Sequence, residues 1–387
     1  MRKILVVLLV LSVLGGAFAD WWWFDGSAFF GTVIDFDDEN GEALVRRSLD
    51  DGEVSNLAAC CCNGLNTAKF AINWGTEDGI SAGVYFDYED RIGSYLSFSG
   101  DNYAFYAEGA MQALFEGWGA WGGLWGWYKF FDGMIHLEAA LNGEYAGWWH
   151  SDTAVEDLFG ADLSYSDMGG KNGILVNFSF EALDFGIFVP GMMDEDWSPL
   201  TDDSTTRSVL SSSVIGLNFA MDPVEFGAFF AIENYTAYLG ARIFAGDLTL
   251  GLSFYGVFDD EEDTAEAMFA VSANYDGGVF GAGVQAGYYA IPSDEEGWKL
   301  AISPGFFYNV IPDYMRFVLD AMFTFGADDV IWEFFPVITW NFKGTGNASR
   351  LGNWDAIGTG IGIGYRIGGG NDESTINEAY LSFRWSF

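Results

Sequence analysis

The chain has 387 residues, Lys+Arg 16 against Asp+Glu 56 and a formal net charge of −40; apolar residues make up 50% of it and aromatics 18%. That charge repels phosphate and excludes nucleic acid as a partner, while so many aromatics exclude an acidic disordered chain, which is poor in them. With Cys 3 and His 2, little supports metal or nucleophilic chemistry, so no cofactor, metal site or catalytic activity is expected.

Residues 1–19 open on Arg2 and Lys3, run apolar from Ile4 to Leu14 and close on Ala17-Phe18-Ala19. This is the layout of a secretory signal peptide cleaved before Asp20, and the run is short for a membrane helix of about 20 residues. The expected mature chain, 20–387, is exported, and losing Arg2 and Lys3 takes its charge from −40 to −42. No linker or compositional step divides it, so a single domain is expected. No later stretch is apolar for long enough to be a membrane helix.

The first strand signal is "GSAFFGTVIDF", preceded by "WWWFDG" at 21–26. Next comes "DFDDENGE" at 35–42, which fails as a calcium loop: the sixth position is Asn40 and the twelfth is Arg46. "LAACCC" gathers Cys60, Cys61 and Cys62, and Leu57-Ala58-Ala59-Cys60 has the look of an acylation box without the apolar run that must precede one. Residues 37–66 therefore read as a long first loop, one that could fold into a lumen.

Alternation then recurs to the end of the chain. Strand side chains repeat every two residues, so one greasy and one wet face mark a half-solvated strand. In "TAKFAINW", Ala68, Phe70, Ile72 and Trp74 oppose Thr67, Lys69 and Asn73. "WGAWGGLWGWYKFF" at 118–131 is tryptophan-dense and, like 21–26, fits an interfacial girdle, with a sugar-stacking track as the sharper alternative. His136 shares a strand face with Glu138, a pairing read as polar lining rather than catalysis. In "ILVNFSFE", Ile174, Val176, Phe178 and Phe180 oppose Asn177, Ser179 and Glu181; in "DLTLGLSFYGVF", Leu248, Leu250, Leu252, Phe254 and Phe258 share a face. "TAEAMFAVSANY", "WKLAISPGFFYNV" and "VIWEFFPVITWNFK" behave alike. "GTGIGIGYRIGGG" has the glycine spacing of a phosphate loop without its strand–turn–helix setting, and reads as a strand with small residues on one face.

Between these runs, tight breaks such as "AMDP", "AGD", "YDGG" and "IPD" take turns with longer acidic ones such as "MMDEDWSPLTDDSTTRS", "FDDEEDT" and "IPSDEEG". Transmembrane barrels show this two-ended asymmetry. It bends later, where "FGADD" is short and "KGTGNASRLGN" is long. Charges respect the faces throughout. Lys69, Arg91, Glu181, Glu225, Arg242, Glu266, Lys299, Arg316, Asp320, Glu333, Lys343, Arg366 and Arg384 fall on the wet side. Apart from Lys343, these are the candidate lumen-lining charges. A charged Arg or Lys facing lipid at mid-membrane costs about 2–4 kcal/mol, which a bilayer would enforce strand after strand. The pattern predicts an all-β, antiparallel up-and-down transmembrane barrel of about 18 strands, range about 16–20, and an even number.

The chain closes on "INEAYLSFRWSF", where Leu381, Phe383, Trp385 and Phe387 alternate with Tyr380, Ser382, Arg384 and Ser386. Signal peptide, alternating strands and terminal aromatic together resemble the bacterial outer-membrane β-barrel proteins of the porin-like kind. The resemblance implies insertion in outer-membrane lipid. It also implies that Leu381, Phe383, Trp385 and Phe387 serve as the recognition signal for the barrel-assembly machinery. It suggests a porin-like channel for passive diffusion of small hydrophilic solutes, with cation preference expected from the acidic loops; whether copies assemble stays open. Two alternatives remain at this point: a surface anchor with a plugged lumen and working loops, and a soluble exported sugar-binding sandwich.

Overall fold

The computed structural model describes residues 19–36, 44–46, 67–87, 91–112, 119–141, 151–159, 161, 163, 173–190, 213–232, 235–259, 264–291, 297–326, 330–342, 359–370 and 376–386. The expected signal peptide, the three cysteines, Lys343, Phe387 and most of the acidic loops lie outside the described residues.

The alternating segments form strands. In chain order they are β1 (Trp21–Asp35), β2 (Leu44–Arg46), β3 (Thr67–Gly75), β4 (Ile80–Asp87), β5 (Arg91–Gly100), β6 (Tyr103–Gln112), β7 (Gly119–Phe130), β8 (Ile135–Leu141), β9 (Gly173–Phe180), β10 (Leu183–Pro190) and β11 (Val214–Met221). They continue as β12 (Val224–Ala231), β13 (Thr236–Ala245), β14 (Leu248–Asp259), β15 (Thr264–Asp276), β16 (Phe280–Ala290), β17 (Trp298–Ile311), β18 (Met315–Gly326), β19 (Val330–Asn341), β20 (Gly360–Gly370) and β21 (Ile376–Ser386). One short helix, α1 (Ala154–Phe159), lies between β8 and β9.

From β3 to β21 each strand pairs antiparallel with the next. The long β1 completes the circuit. Its first part pairs with β3, from Trp21↔Gly75 to Phe29↔Thr67, and its second part with β21, from Ser27↔Ser386 to Asp35↔Glu378. The stub β2 pairs with β1 at Val33–Asp35. The ladder is thus a ring of twenty strands, β1 with β3 to β21, at the upper end of the expected range. A two-sheet soluble sandwich does not fit a single ladder. Closure runs through a staggered β1: Ser27–Phe29 pair on both sides, Trp21–Gly26 with β3 and Phe30–Thr32 with β21, and joining the ends in this way covers strand edges that lipid would leave unsatisfied.

The register sets the faces. Leu252, Val271 and Ala286 follow one another across β14, β15 and β16, as do Phe254, Phe269 and Tyr288, and Phe269 is 49% exposed. One residue away on each strand lie Gly251, Ser272 and Gln285, which face inward. A slip of one residue would turn every such set over, so the apolar exterior itself pins the register.

The two ends of the ring differ. Both ends of the ladder, at Trp21 and Ser386, lie where the connections are tight: 76–79, 101–102, 131–134, 181–182, 222–223, 246–247, 277–279 and 312–314. Several of these turns carry positive φ, at Asp132 (55°), Gly133 (92°), Glu181 (50°), Gly246 (64°), Gly278 (75°) and Asp313 (66°). That suits two- to four-residue hairpins, whose backbone twist matches the strands. Connection 342–359 is the long exception at this end, as "KGTGNASRLGN" led one to expect. The opposite end carries 36–66, 142–172 and 191–213.

Candidate functional site

Part of connection 142–172 lies inside the ring. Helix α1 packs on β14, β15, β16 and β17. Ala154, Val155 and Leu158 are buried there, with Ala161 and Leu163, against wall residues Leu175, Phe188, Val214, Phe229, Tyr238, Tyr255 and Met268. Burying a Val or Leu side chain of this kind is worth about 1.5–3 kcal/mol, so the segment is held by packing as well as by polar contacts.

The polar contacts centre on Asp152. Its Oδ1 accepts from the Ser253 hydroxyl at 3.0 Å and from the Ala154 backbone N–H at 3.1 Å. Its Oδ2 accepts from the Ser272 hydroxyl at 3.0 Å and lies 3.7 Å from Arg242 Nε. The Tyr238 hydroxyl donates to the Asp152 carbonyl at 2.6 Å and accepts from the N–H groups of Ser151 (3.2 Å) and Asp152 (3.0 Å). One helical turn on, Gln285 Nε2 donates to Asp157 Oδ2 at 2.6 Å. The wall is shaped to receive this segment: a Cβ on Gly251 would stand 2.0 Å from Asp152 Oδ2, and one on Gly287 2.6 Å from the Phe159 ring. Three strands thus supply inward Ser or Gly where the segment docks. Sequence reading expected a long loop at 37–66 that could fold inward, a stretch that apart from 44–46 lies outside the described residues, and it did not single out Asp152. The inward small residues Gly251, Ser253, Ser272 and Gly287 were the available signal.

The expected lumen charges fall as follows. Glu225 and Arg242 face each other across β12 and β13 on the inner side, and Glu266 lies inward opposite Val257. Lys299 Nζ stands 5.9 Å over the Tyr289 ring. Arg316 is buried, donating through Nε to Asn309 Oδ1 at 2.8 Å with its guanidinium 4.2 Å over Phe307. Asp320 is buried between Gly305 and Phe335, and its Oδ2 has no hydrogen-bond partner among the described residues. Arg366, 2% exposed, binds Glu333 at 2.9 Å and Glu378 at 3.3 Å, which ties β19, β20 and β21 together. Lys69, Arg91 and Arg384 occupy inner register positions opposite Ser27, Gln112 and Gly360; their side chains lie outside the description. Glu181 is a correction. It sits at the tip of the β9–β10 turn, exposed and with positive φ, because the strand ends one residue before it.

The glycine run of β20 is a strand, as expected. Gly360, Gly362 and Gly364 face inward, and a Cβ on Gly364 would stand 3.2 Å from the Phe335 ring. Of the expected assembly signal, Leu381, Phe383 and Trp385 point outward and are exposed on the closing strand. The β7 tryptophans depart from the girdle reading: Trp125 and Trp127 pair with Ala140 and Glu138 on the inner face.

Inward acids outnumber inward bases on the described strands, and the two most buried arginines, Arg316 and Arg366, are committed to wall partners. The arrangement can pass or hold a polar solute.

No family model and no curated protein matches the chain. Among solved structures it is similar to OpdQ of Pseudomonas aeruginosa, with 11% identity, 95% of this chain and 98% of that chain covered, and a TM-score of 0.50. It is also similar to OprD of Pseudomonas aeruginosa (12% identity, 95% and 96% covered, TM-score 0.48) and to a BenF-like porin from Pseudomonas fluorescens (8% identity, 96% and 99% covered, TM-score 0.49). The likeness to OpdQ concerns the fold, a large outer-membrane-type β-barrel.

Proposed function

We propose that this protein is an outer-membrane channel passing small hydrophilic solutes, with a preference for cations. The carrying observation is a ladder joined end to end through β1, apolar outside and carrying its charged residues inside, with an inward segment latched to the wall through Asp152. A ring of this strand number leaves a lumen too wide for its own side chains to fill, and the docked segment narrows it. Exposed Phe, Leu and Ile all round the exterior suit hydrocarbon and not water. On this reading residues 1–19 export the chain. Leu381, Phe383, Trp385 and Phe387 engage the assembly machinery, and the acidic loops raise cation concentration at the mouth.

A second reading, a surface anchor with a plugged lumen, draws on the apolar cluster inside the ring around Val155 and Phe188. Planar-bilayer recording of the mature chain separates the two. The channel reading expects stepwise conductance and a reversal potential of cation-selective sign under a KCl gradient. Correctly folded protein that never conducts would favour the anchor, and an anion-selective sign would remove the cation preference.

A further inference from the structure

Beyond the apolar cluster around the docked segment, which Ala140 of β8 joins and Trp125 of β7 borders, the lining of the wall changes. Counting around the ladder, β6 lies nine strands from β15, close to half of the ring of twenty. Here the inner face is aromatic. The Tyr95 and Tyr106 rings stack at 5.7 Å, Tyr106 meets Trp125 edge-on at 6.5 Å, and two residues further along β7 Trp127 meets His136 at 5.5 Å. Trp125 and Trp127 are half-buried, and Trp125 borders the apolar cluster.

These rings are held by polar groups at their edges. The Tyr106 and Tyr85 hydroxyls donate to the two oxygens of Glu108 at 2.9 and 2.6 Å. Trp125 Nε1 donates to Glu138 Oε1 at 2.5 Å, and Tyr95 donates to Asn73 Oδ1 at 2.9 Å. Glycine makes room for the tyrosines: a Cβ on Gly93 would stand 2.1 Å from Tyr85 Cζ, and one on Gly83 2.6 Å from Tyr95 Cε1. Where the row ends, His136 Nε2 and Asn177 Oδ1, on residues paired across β8 and β9, have no hydrogen-bond partner among the described residues. Buried polar atoms normally find one.

We infer that this wall is a binding track for a neutral saccharide. A sugar ring has a C–H face that packs on an aromatic face and a rim of hydroxyls that both donate and accept. Trp127, with Trp125 beside it, supplies the first, and Glu108, His136 and Asn177 supply partners for the second. An interfacial girdle requires outward rings, as at Tyr128 and Phe130 on the same strand. An anionic ligand would meet the Glu108 carboxylate, with Lys129, over Trp127 at 5.0 Å, as a nearby cation. The inference rests on the channel reading for its purpose, but binding can be measured without flux.

The test uses the mature barrel folded in detergent, its fold checked by heat-modifiable migration, and maltohexaose and cellohexaose as probes. Saturation-transfer NMR is expected to show at least one probe bound through ring protons. Trp127→Ala should weaken its affinity by about tenfold, and Glu108→Gln should weaken it while keeping the shape of the wall. Tyr128→Leu, on the outer face, should leave it unchanged. Should Trp127→Ala fail to fold, Glu108→Gln and Trp127→Leu carry the same comparison. A folded wild type that binds neither probe, or binding insensitive to the inner variants, overturns the track. Conductance without sugar binding removes the track alone, and binding without conductance removes the channel alone.

Discussion

At the residue scale, the two-residue period was enough to place most inward charges. Glu225, Arg242, Glu266, Arg316, Asp320, Glu333 and Arg366 are all inside. Parity carries no partner information, however, so the Arg366–Glu333–Glu378 cluster was not legible: Glu378 belongs to a strand begun far from Glu333, and only the ladder brings them together. Glu181 escaped because alternation does not mark where a strand ends. The cluster has a measurable consequence. Arg366 is 2% exposed and answers two carboxylates, so Arg366→Ala leaves them uncompensated in the wall, a loss of about 3–5 kcal/mol for a broken buried pair. Urea unfolding of vesicle-inserted protein should show this as a lower midpoint. A midpoint equal to wild type would mean that the cluster does not hold β19, β20 and β21 together.

At the element scale, strands were readable and the folded-in segment was not. A strand shows itself through its own repeat. Residues 151–159, 161 and 163 acquire their role from a wall contributed by β9 to β17, whose polar contacts Tyr238, Ser253, Ser272 and Gln285 come more than seventy residues later in the chain. The tryptophans of β7 show a related limit, since composition suggests a girdle while the pairing Trp127↔Glu138 turns the ring inward. The docking surface has a weak point at Gly251, where any Cβ meets Asp152 Oδ2 at 2.0 Å and Ser272 Oγ at 2.3 Å. Gly251→Val should therefore detach the segment and keep the ladder, whose pairing Gly251↔Ser272 needs only backbone. Single-channel recording should show a larger and noisier conductance, and limited proteolysis a new cut within 142–172. Unchanged conductance with no new cut would show that the segment stays docked without the Asp152 latch.

At the scale of the whole molecule, closure and charge act together. The last strand meets "GSAFFGTVIDF" through the Ser27–Asp35 pairing with β21, and the ring leaves the acidic connections mostly at one end. Screening then makes a prediction that separates loop from wall. Exposed charges act over about 10 Å at 0.1 M salt and about 3 Å at 1 M, whereas carboxylates set into the inner wall, such as the half-buried Glu108 and the buried Asp152, are screened less. If the loop end creates the cation preference, reversal potentials measured at a fixed concentration ratio should fall steeply as both salt concentrations rise tenfold. A preference that persists at high salt would move its origin to the inner wall, and Glu108→Gln should then reduce it. An anion preference at low salt would contradict both, because it would require Arg242 and Lys299 to outweigh every acid around them.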